Sequence, residues 1–337
     1  MPLRVVFVGF QHGHAYSLYS DLERHSDVQI VAVCEEDPAV RDKAAERGRV
    51  ATHTSYTEML RDIPCDAVAC CDYYGIRGDR MIQAMEAGKH VIADKPICTT
   101  LDSLARMQDL ANAKHLKVGC QFPLPYAPAL IAARDLIMSG EIGDVQSVTF
   151  NGAHSLNYEG RPEWMFDPKK YGGSINDIAI HGLDVLPWMT GREFSAISTA
   201  REWNARVSKH PKFGDGAVLL CKLDNGGAAY GDVSWFSPDK AAYKLPYYWR
   251  FTILGSAGAI ETGYQFEKAL LYKSGESEPR EVSGENPADH NYVGDFLLDI
   301  ANTPALDRLH TKRILKSART ALIAQQAADT GKHDLEL

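Results

Sequence analysis

Strand-like and helix-like segments alternate through residues 1–122, and no other feature constrains the fold as much. LRVVFVG (3–9) is a continuous apolar run, as expected of a strand buried on both faces. VQIVAVCE (28–35), DAVACC (66–71), HVIAD (90–94) and LKVGCQF (116–122) repeat the pattern. Residues 13–25, 38–47, 80–90 and 101–114 read as the intervening helices, the last capped by Thr99 or Thr100 with Asp102 in its first turn. A β-α-β-α order predicts a parallel, doubly wound sheet.

After residue 122 the pattern changes. FPLPYAP (122–128) is Pro-rich and reads as a linker. A helix at about 128–139 and a half-buried strand at 145–153 follow. GAVLLCKLDNGGAAYGDVSWF (216–236) is two strands around an Asn-Gly turn, and YYWRFTILGSAGAIET (247–262) repeats that plan. KALLYK (268–273) adds a strand, and a helix over 311–330 stops at Gly331. Consecutive hairpins predict a mostly antiparallel sheet. The chain is therefore expected to be α/β, with a dinucleotide-type domain at 1–122 and a second α/β domain at 123–337.

Composition bounds the partners. A formal charge of −8, with no run of Lys and Arg, argues against a nucleic-acid or anionic-membrane surface. No apolar run approaches the roughly 20 residues of a membrane span. The N-terminus reads directly as a strand and lacks the features of a signal peptide. Seven cysteines, an odd number with no C-x-x-C pair, lie mostly in apolar stretches. They read as free thiols in a reducing cytoplasm rather than as disulfides or zinc ligands.

The first strand-to-helix turn is VGFQHGHA (8–15). A dinucleotide site wants G-x-G-x-x-G there, for the turn, the pyrophosphate and helix packing. Gly9 holds the first place, Gln11 the second and His14 the third, with Gly13 displaced by one. The position after a strand and before a helix still suits a Rossmann domain. Glu35, at the next strand end, is placed to accept from a ribose 2′-hydroxyl, and Glu36 adds repulsion toward a 2′-phosphate, which favours NAD over NADP. His12 and His14 form an H-x-H pair that could donate to pyrophosphate or substrate, or simply be satisfied within a variant turn. A metal would need a third ligand that the sequence does not place. Expected cofactor contacts are Gly9, Gln11, His12, Gly13, Glu35, Asp72, Tyr73, Asp94 and Lys95, with no metal.

A second motif lies mid-chain, in YGGSINDIAIHGLD (171–184). On a helix Asp177, His181 and Asp184 share a face at i, i+4, i+7. A carboxylate one turn before a histidine can hold an imidazole in one tautomer for proton transfer. Gly172 and Gly173 would let a ligand approach the helix start. The plainer alternative is a helix whose polar face meets water.

With DKP at 94–96 and GGSINDIAIHGLD at 172–184, the chain resembles the Gfo/Idh/MocA family of glucose-fructose oxidoreductase and inositol dehydrogenase type enzymes. AMEAGKHVIADKP (84–96), SGEIGDV (139–145), EWMFDP (163–168) and LGSAGAIET (254–262) extend the likeness over most of the chain. The resemblance implies a Rossmann domain, a second domain with an open, mostly antiparallel sheet, and Lys95, Asp177 and His181 as catalytic residues. It implies hydride transfer between a nicotinamide and a secondary alcohol or ketone of a sugar, polyol or derivative. The chain departs from the family at Asp94, usually Glu, in the degraded turn, at Asn176, and in DYYGIRG (72–78), where Arg77 holds a histidine position.

Oxidising a secondary alcohol needs a base for the hydroxyl proton. His181 fills that role, supported by Asp177, and the Lys95 ammonium can hydrogen-bond the substrate oxygen. Polar and aromatic residues in GAHSLNYEGRPEW (152–164) suit a polyhydroxylated ligand. Expected substrate contacts are Lys95, Tyr158, Arg161, Asn176, His181 and Asp184. Trp235, Tyr247, Tyr248 and Trp249 read mostly as sheet and interface packing. An apolar sheet face that no helix covers predicts a homodimer or homotetramer. Two other functions fit the same residues: a redox-neutral lyase or glycosidase with retained NAD, and a non-catalytic sensor, against which the intact trio argues.

Overall fold

The computed structural model describes residues 1–286, 290–303 and 308–337. The five buried runs form the strands β1 (Leu3–Val8), β2 (Val28–Cys34), β3 (Ala67–Cys70), β4 (His90–Ala93) and β5 (Val118–Cys120). They pair in parallel in the order β2-β1-β3-β4-β5, the doubly wound sheet that the alternation predicts. The helices are α1 (His14–Arg24), α2 (Pro38–Glu46), α3 (Tyr56–Asp62), α4 (Tyr74–Glu86) and α5 (Leu101–Lys114). Of the two candidate caps for α5, Thr100 is used, its Oγ1 accepting from Ser103 N at 3.1 Å. Helix α4 starts six residues before the expected position and runs through Gly75 and Gly78. Glycine hides a helix from pattern reading, and Gly75 is there for packing: a Cβ on it would lie 2.2 Å from the Lys169 carbonyl.

The rest of the chain runs α6 (Pro128–Met138), β6 (Val145–Asn151), a short α7 (Pro168–Tyr171), a π-helical turn (Ile175–Ala179) and α8 (Ile180–Thr190). Then come β7 (Phe194–Trp203), β8 (Gly216–Leu223), β9 (Ala228–Asp232), β10 (Arg250–Gly255), β11 (Gly258–Gly263), β12 (Ala269–Lys273) and β13 (Arg280–Val282). Helices α9 (Tyr292–Ile300) and α10 (Thr311–Thr330) and strand β14 (Leu335–Glu336) complete it. The nine strands from β6 onward form one sheet, ordered β13-β12-β11-β10-β6-β9-β8-β7-β14, antiparallel except where β6 meets β9. Both expected hairpins are present, β8–β9 and β10–β11. Strand β7 and helices α3 and α9 carried no recognised sequence signal.

Two compact units result. One comprises Met1–Gln121, Pro162–Gly172 and Asn291–Ala318; the other comprises Phe122–Arg161, Gly173–His290 and Arg319–Leu337. The first boundary falls one residue from the expected 122/123, but the units are not two contiguous halves. Residues 162–172 return to the parallel-sheet unit at Gly75, as described. Helix α9 returns to β5, where a Cβ on Gly119 would lie 2.8 Å from the Phe296 ring. In the other unit α8 packs on the large sheet through Gly182, whose Cβ would lie 2.6 Å from Phe150. That contact sets the depth of the residue before it, His181.

Candidate active site

In the parallel-sheet unit, the turn after β1 needs its first glycine. Gly9 has φ +88°, and a Cβ there would lie 2.4 Å from Asp72 N. Gly13 is different: it is the helical residue before α1, with φ −58°, and a Cβ there would meet nothing within 4 Å. The start of α1 therefore faces open space, as an anion site at a helix N-terminus requires.

Asp94, at the end of β4, is fully buried and gathers the unusual residues of the neighbouring loops. Nδ1 of His12 lies 2.8 Å from its Oδ2, and Nδ1 of His14 lies 3.0 Å from its Oδ1. Burial pushes the Asp94 carboxyl up, but His14, Arg77 and His12 outweigh it and hold it well below the usual range. Burial, then His14, pushes His12 down to about 4, so its imidazole is neutral near pH 7. A neutral His12 beside a carboxylate donates from Nδ1, which leaves Nε2 to accept from the Tyr74 hydroxyl 3.4 Å away. His12 thus spends its ring inside the protein.

Arg77, in the family's histidine position, is also fully buried. It donates to the carbonyls of Asp72 (2.8 Å), Asp94 (2.9 Å) and Pro96 (2.8 Å), and approaches Asp94 Oδ2 at 3.4 Å. It brackets Lys95, which is itself buried. Sequence reading flagged Arg77 only as a departure; no pattern indicated that it braces the lysine loop. His12, His14 and Asp94 each offer a ligand atom within 4.8 Å of the others, the only such cluster among the described residues. The third metal ligand missing from the sequence is thus Asp94. Arg77 already balances that carboxylate's charge, and the imidazoles already bond its oxygens, so the cluster reads as a hydrogen-bond network.

Glu35 and Glu36 stand differently from the expectation. Glu35 has no exposed surface; its Oε2 accepts from Phe10 N at 2.7 Å and its Oε1 from Asp37 N at 2.9 Å. It ties down the turn after β1, and burial raises its carboxyl. Glu36 pairs with Arg80, which weakens the repulsion assigned to it. Asp72 is pushed up to about 6, by burial first and against the pull of Arg80. Tyr73 precedes α4, with Lys170 over its ring at 5.4 Å. Trp164, read as part of a substrate loop, belongs to this unit: its Nε1 donates to Gln11 O at 3.1 Å and its ring lies 4.8 Å from that of Tyr74.

A dinucleotide fits this unit in part. The Gly9 turn, the open space at Gly13 and the N-terminus of α1 suit a pyrophosphate. The ribose contact fits less well, since both Glu35 oxygens face backbone amides.

In the other unit, Asn176, Asp177, His181 and Asp184 lie on one continuous segment and all are buried, at 1%, 1%, 7% and 1% exposure. A polar face turned to water is ruled out. The segment is not a uniform helix: a π turn, common at functional sites, carries Asn176 and Asp177, and α8 carries His181 and Asp184. The glycines before it do not make room for a ligand. A Cβ on Gly172 would lie 2.4 Å from the Thr99 side chain, and one on Gly173 would lie 2.2 Å from that of Gln325.

The His181 ring stands edge-on to Trp249 (5.3 Å) and Phe122 (5.8 Å). Trp249 is 2% exposed with φ +51°, a conformation that a bulky residue adopts only under constraint from its surroundings. Beyond the packing role that the sequence suggests, Trp249 thus walls one side of His181. Tyr158 and Arg161 lie elsewhere in the unit, on a loop. The Arg161 guanidinium bonds the carbonyls of Leu156 (2.7 Å) and Ser155 (3.0 Å) and stacks over Trp235, so it holds its own loop. The Tyr158 hydroxyl meets His210 Nε2 at 3.0 Å beside a cavity of about 240 Å³ that Arg206 and Lys209 also line.

A parallel dinucleotide-type sheet, a large mixed sheet and a buried Asp-His segment define an α/β protein of two units, the first of dinucleotide-binding type. Residues 3–122 match the family model described as oxidoreductase family, NAD-binding Rossmann fold, and residues 130–261 match the GFO/IDH/MocA C-terminal domain. The chain belongs to the Gfo/Idh/MocA oxidoreductase family. It is 27% identical to the levoglucosan dehydrogenase of Pseudarthrobacter phenanthrenivorans, over 60% of this chain and 52% of that one. It is 28% identical to the D-glucoside 3-dehydrogenase of Escherichia coli, over 59% of this chain and 56% of that one. It thus spans about half the length of these curated relatives. An inositol dehydrogenase homolog from Azotobacter vinelandii, solved with NAD+, has the same fold, with TM-score 0.81, 18% identity and coverage of 100% and 98% of the two chains.

Proposed function

We propose that the protein is an NAD-dependent dehydrogenase acting on a secondary alcohol of a sugar, polyol or derivative. The observation that carries this is the burial of Asp177 and His181 on one segment of a family whose relatives include sugar dehydrogenases. A buried imidazole on the same segment as two buried carboxylates suits proton transfer better than solvation. A bound nicotinamide would supply the hydride acceptor.

His181 takes the hydroxyl proton at a ring nitrogen, and Asp177 supports the resulting imidazolium. The Lys95 ammonium hydrogen-bonds the substrate oxygen and stabilises developing alkoxide charge. Asn176, Asp184, Tyr158 and Arg161 are the proposed substrate-side residues; the first two are the stronger pair, because the Arg161 guanidinium already holds its own loop. Gly9, Gln11, Gly13 and the start of α1 cradle the pyrophosphate, while His12, Glu35, Asp72, Tyr73 and Asp94 shape the loops around it. NAD is favoured over NADP because acidic residues end β2, although Arg80 tempers Glu36.

The seven cysteines are free and buried, which suits a reducing cytoplasm. Among the described residues no helix is long and apolar enough to cross a membrane. One face of the large sheet exposes Tyr230, Leu254 and Tyr272. The strand register puts all three on the same side, which supports a homodimer or homotetramer formed through that face.

The test is a panel of sugars and polyols with NAD+, read by NADH absorbance and by product analysis. Stoichiometric NADH, lost in His181→Ala with NAD binding intact, is the expected result. Product without NADH would instead indicate the redox-neutral reaction, and ligand binding without turnover a sensor. Full activity in His181→Ala would overturn the assigned mechanism.

A further inference from the structure

The segment that carries Asp177 does not cap itself. Ser174 precedes the π turn, but its Oγ donates to Gly214 O and accepts from Trp235 Nε1 at 2.9 Å. The first two amides of the turn, Ile175 N and Asn176 N, donate instead to Oε1 of Gln325, each at 3.1 Å. Gln325 lies on α10, about 150 residues further along the chain. Its Nε2 donates to Glu202 Oε2 and to Asp329 Oδ1, both at 2.9 Å. Glu202, on β7, also accepts from Ser174 N at 3.2 Å.

Glycines make the room for this pair. Gly173 has φ +94° and faces Gln325, and a Cβ on Gly214 would lie 2.0 Å from Glu202. Gln325 is 6% exposed, so its amide is committed to these partners.

A π turn holds one residue more than an α turn, and a segment free to choose would relax toward the α form. Sliding by one residue turns a helical side chain by about 100°. Fixing the first amides therefore fixes which way Asp177 points relative to His181. We infer that Gln325, held by Glu202, is a positioning residue that sets the register of the segment carrying Asp177 and His181. The inference rests on the proposed proton-transfer role of His181.

Glu202 also gives the brace a distinctive signature. Burial pushes its carboxyl up to about 7, against the pull of Gln325 and Ser174, and the acting charged neighbour is Asp329. Ionised Glu202 accepts both hydrogen bonds; protonated, it accepts them more weakly. Turnover should therefore fall as pH drops below about 7.

The experiment compares Gln325→Ala, Glu202→Ala and Glu202→Gln in the full chain. It reads amide exchange at Ile175 and Asn176, the NMR titration of the His181 imidazole, and kcat and KM at saturating NAD+. Gln325→Ala should expose both amides, shift the His181 titration and lower kcat about a hundredfold, the cost of misplacing a reacting group by roughly 1 Å, with little change in NAD affinity. Glu202→Gln is neutral at every pH, as protonated Glu202 is, so it should hold turnover near the wild type's low-pH level and lose the limb near pH 7; Glu202→Ala, with no acceptor oxygen, should fall further. If Gln325→Ala does not fold, the two Glu202 variants carry the test. Unchanged exchange and an unmoved His181 titration would overturn the inference, as would a Glu202→Gln profile that keeps the wild-type limb. If the wild type oxidises no sugar, the dehydrogenase reading fails, while exchange and His181 titration still decide the positioning.

Discussion

Arg77 donates from Nη1 to the carbonyl oxygens of Asp94 and Pro96, at 2.9 and 2.8 Å, so one guanidinium fixes the backbone on both sides of Lys95. Its Nη2 reaches the Asp72 carbonyl as well, so the ends of β3 and β4 are tied through a single side chain.

Replacing Arg77 with Met removes three buried hydrogen bonds to carbonyls and one of the groups that hold Asp94 ionised. Breaking one side of a buried pair costs about 3–5 kcal/mol. Urea denaturation of Arg77→Met should show a loss of that order. Arg77→Lys keeps the charge but not the fork, and should fall between. A Met variant as stable as the wild type would mean that the guanidinium is not the brace.

His12 makes stability depend on pH. Its folded pKa, about 4, lies below the 6.5 of an exposed histidine. The unfolded chain therefore takes up a proton that the native state refuses. This stability is complete above pH 6.5 and is lost as pH falls toward 4. At about 1.4 kcal/mol per pH unit, the wild type should lose roughly 3 kcal/mol more than His12→Asn across that window. Urea midpoints for both proteins between pH 7 and pH 4 measure the difference; parallel curves would contradict the burial of a neutral His12.

Gly9 and Gly13 should respond oppositely to alanine. At Gly9 a Cβ meets Asp72 backbone in a left-handed conformation, so Gly9→Ala should cost at least about 2 kcal/mol. At Gly13 the methyl enters open space from a helical backbone. The lower chain entropy of alanine offsets its weaker capping, so stability should hold within about 0.5 kcal/mol. That same space is assigned to the pyrophosphate, so NAD affinity of Gly13→Ala should fall at least roughly tenfold. Calorimetry on both variants, with and without NAD+, reads the two effects separately.

Leu254→Lys with Tyr272→Lys places two charges on the exposed sheet face. Sedimentation should report a smaller species than the wild type, with unchanged secondary structure by circular dichroism. A wild type that sediments as a monomer, or a variant that keeps the wild-type mass, would exclude that face as the interface.

The parallel sheet was legible because strands buried on both faces leave continuous apolar runs, as LRVVFV and VQIVAVC do. The β8–β9 hairpin was legible from Asn225-Gly226. The candidate site was legible only where a residue type announces its chemistry, as at Asp177 and His181, which lie buried on one segment. Glu35 was expected at a ribose and instead holds the turn after β1, because distance along the chain does not say whether a carboxylate faces outward. The partners of Asp94 come from the turn after β1 and from helix α4, and Gln325 caps a turn far away in sequence. Such pairings leave no local pattern. Gly172 and Gly173 show the same limit: the sequence indicates that something approaches them, but not that Thr99 and Gln325 do.

The return of residues 162–172 and 291–318 to the parallel-sheet unit has a consequence for synthesis. A ribosome delivers all five parallel strands early, but Trp164 and helix α9 emerge much later. Until then, Gln11 lacks the indole on its carbonyl, and β5 lacks the Phe296 ring against Gly119. The unit that begins the chain is completed only after residue 318, so truncation before residue 291 should weaken the N-terminal sheet.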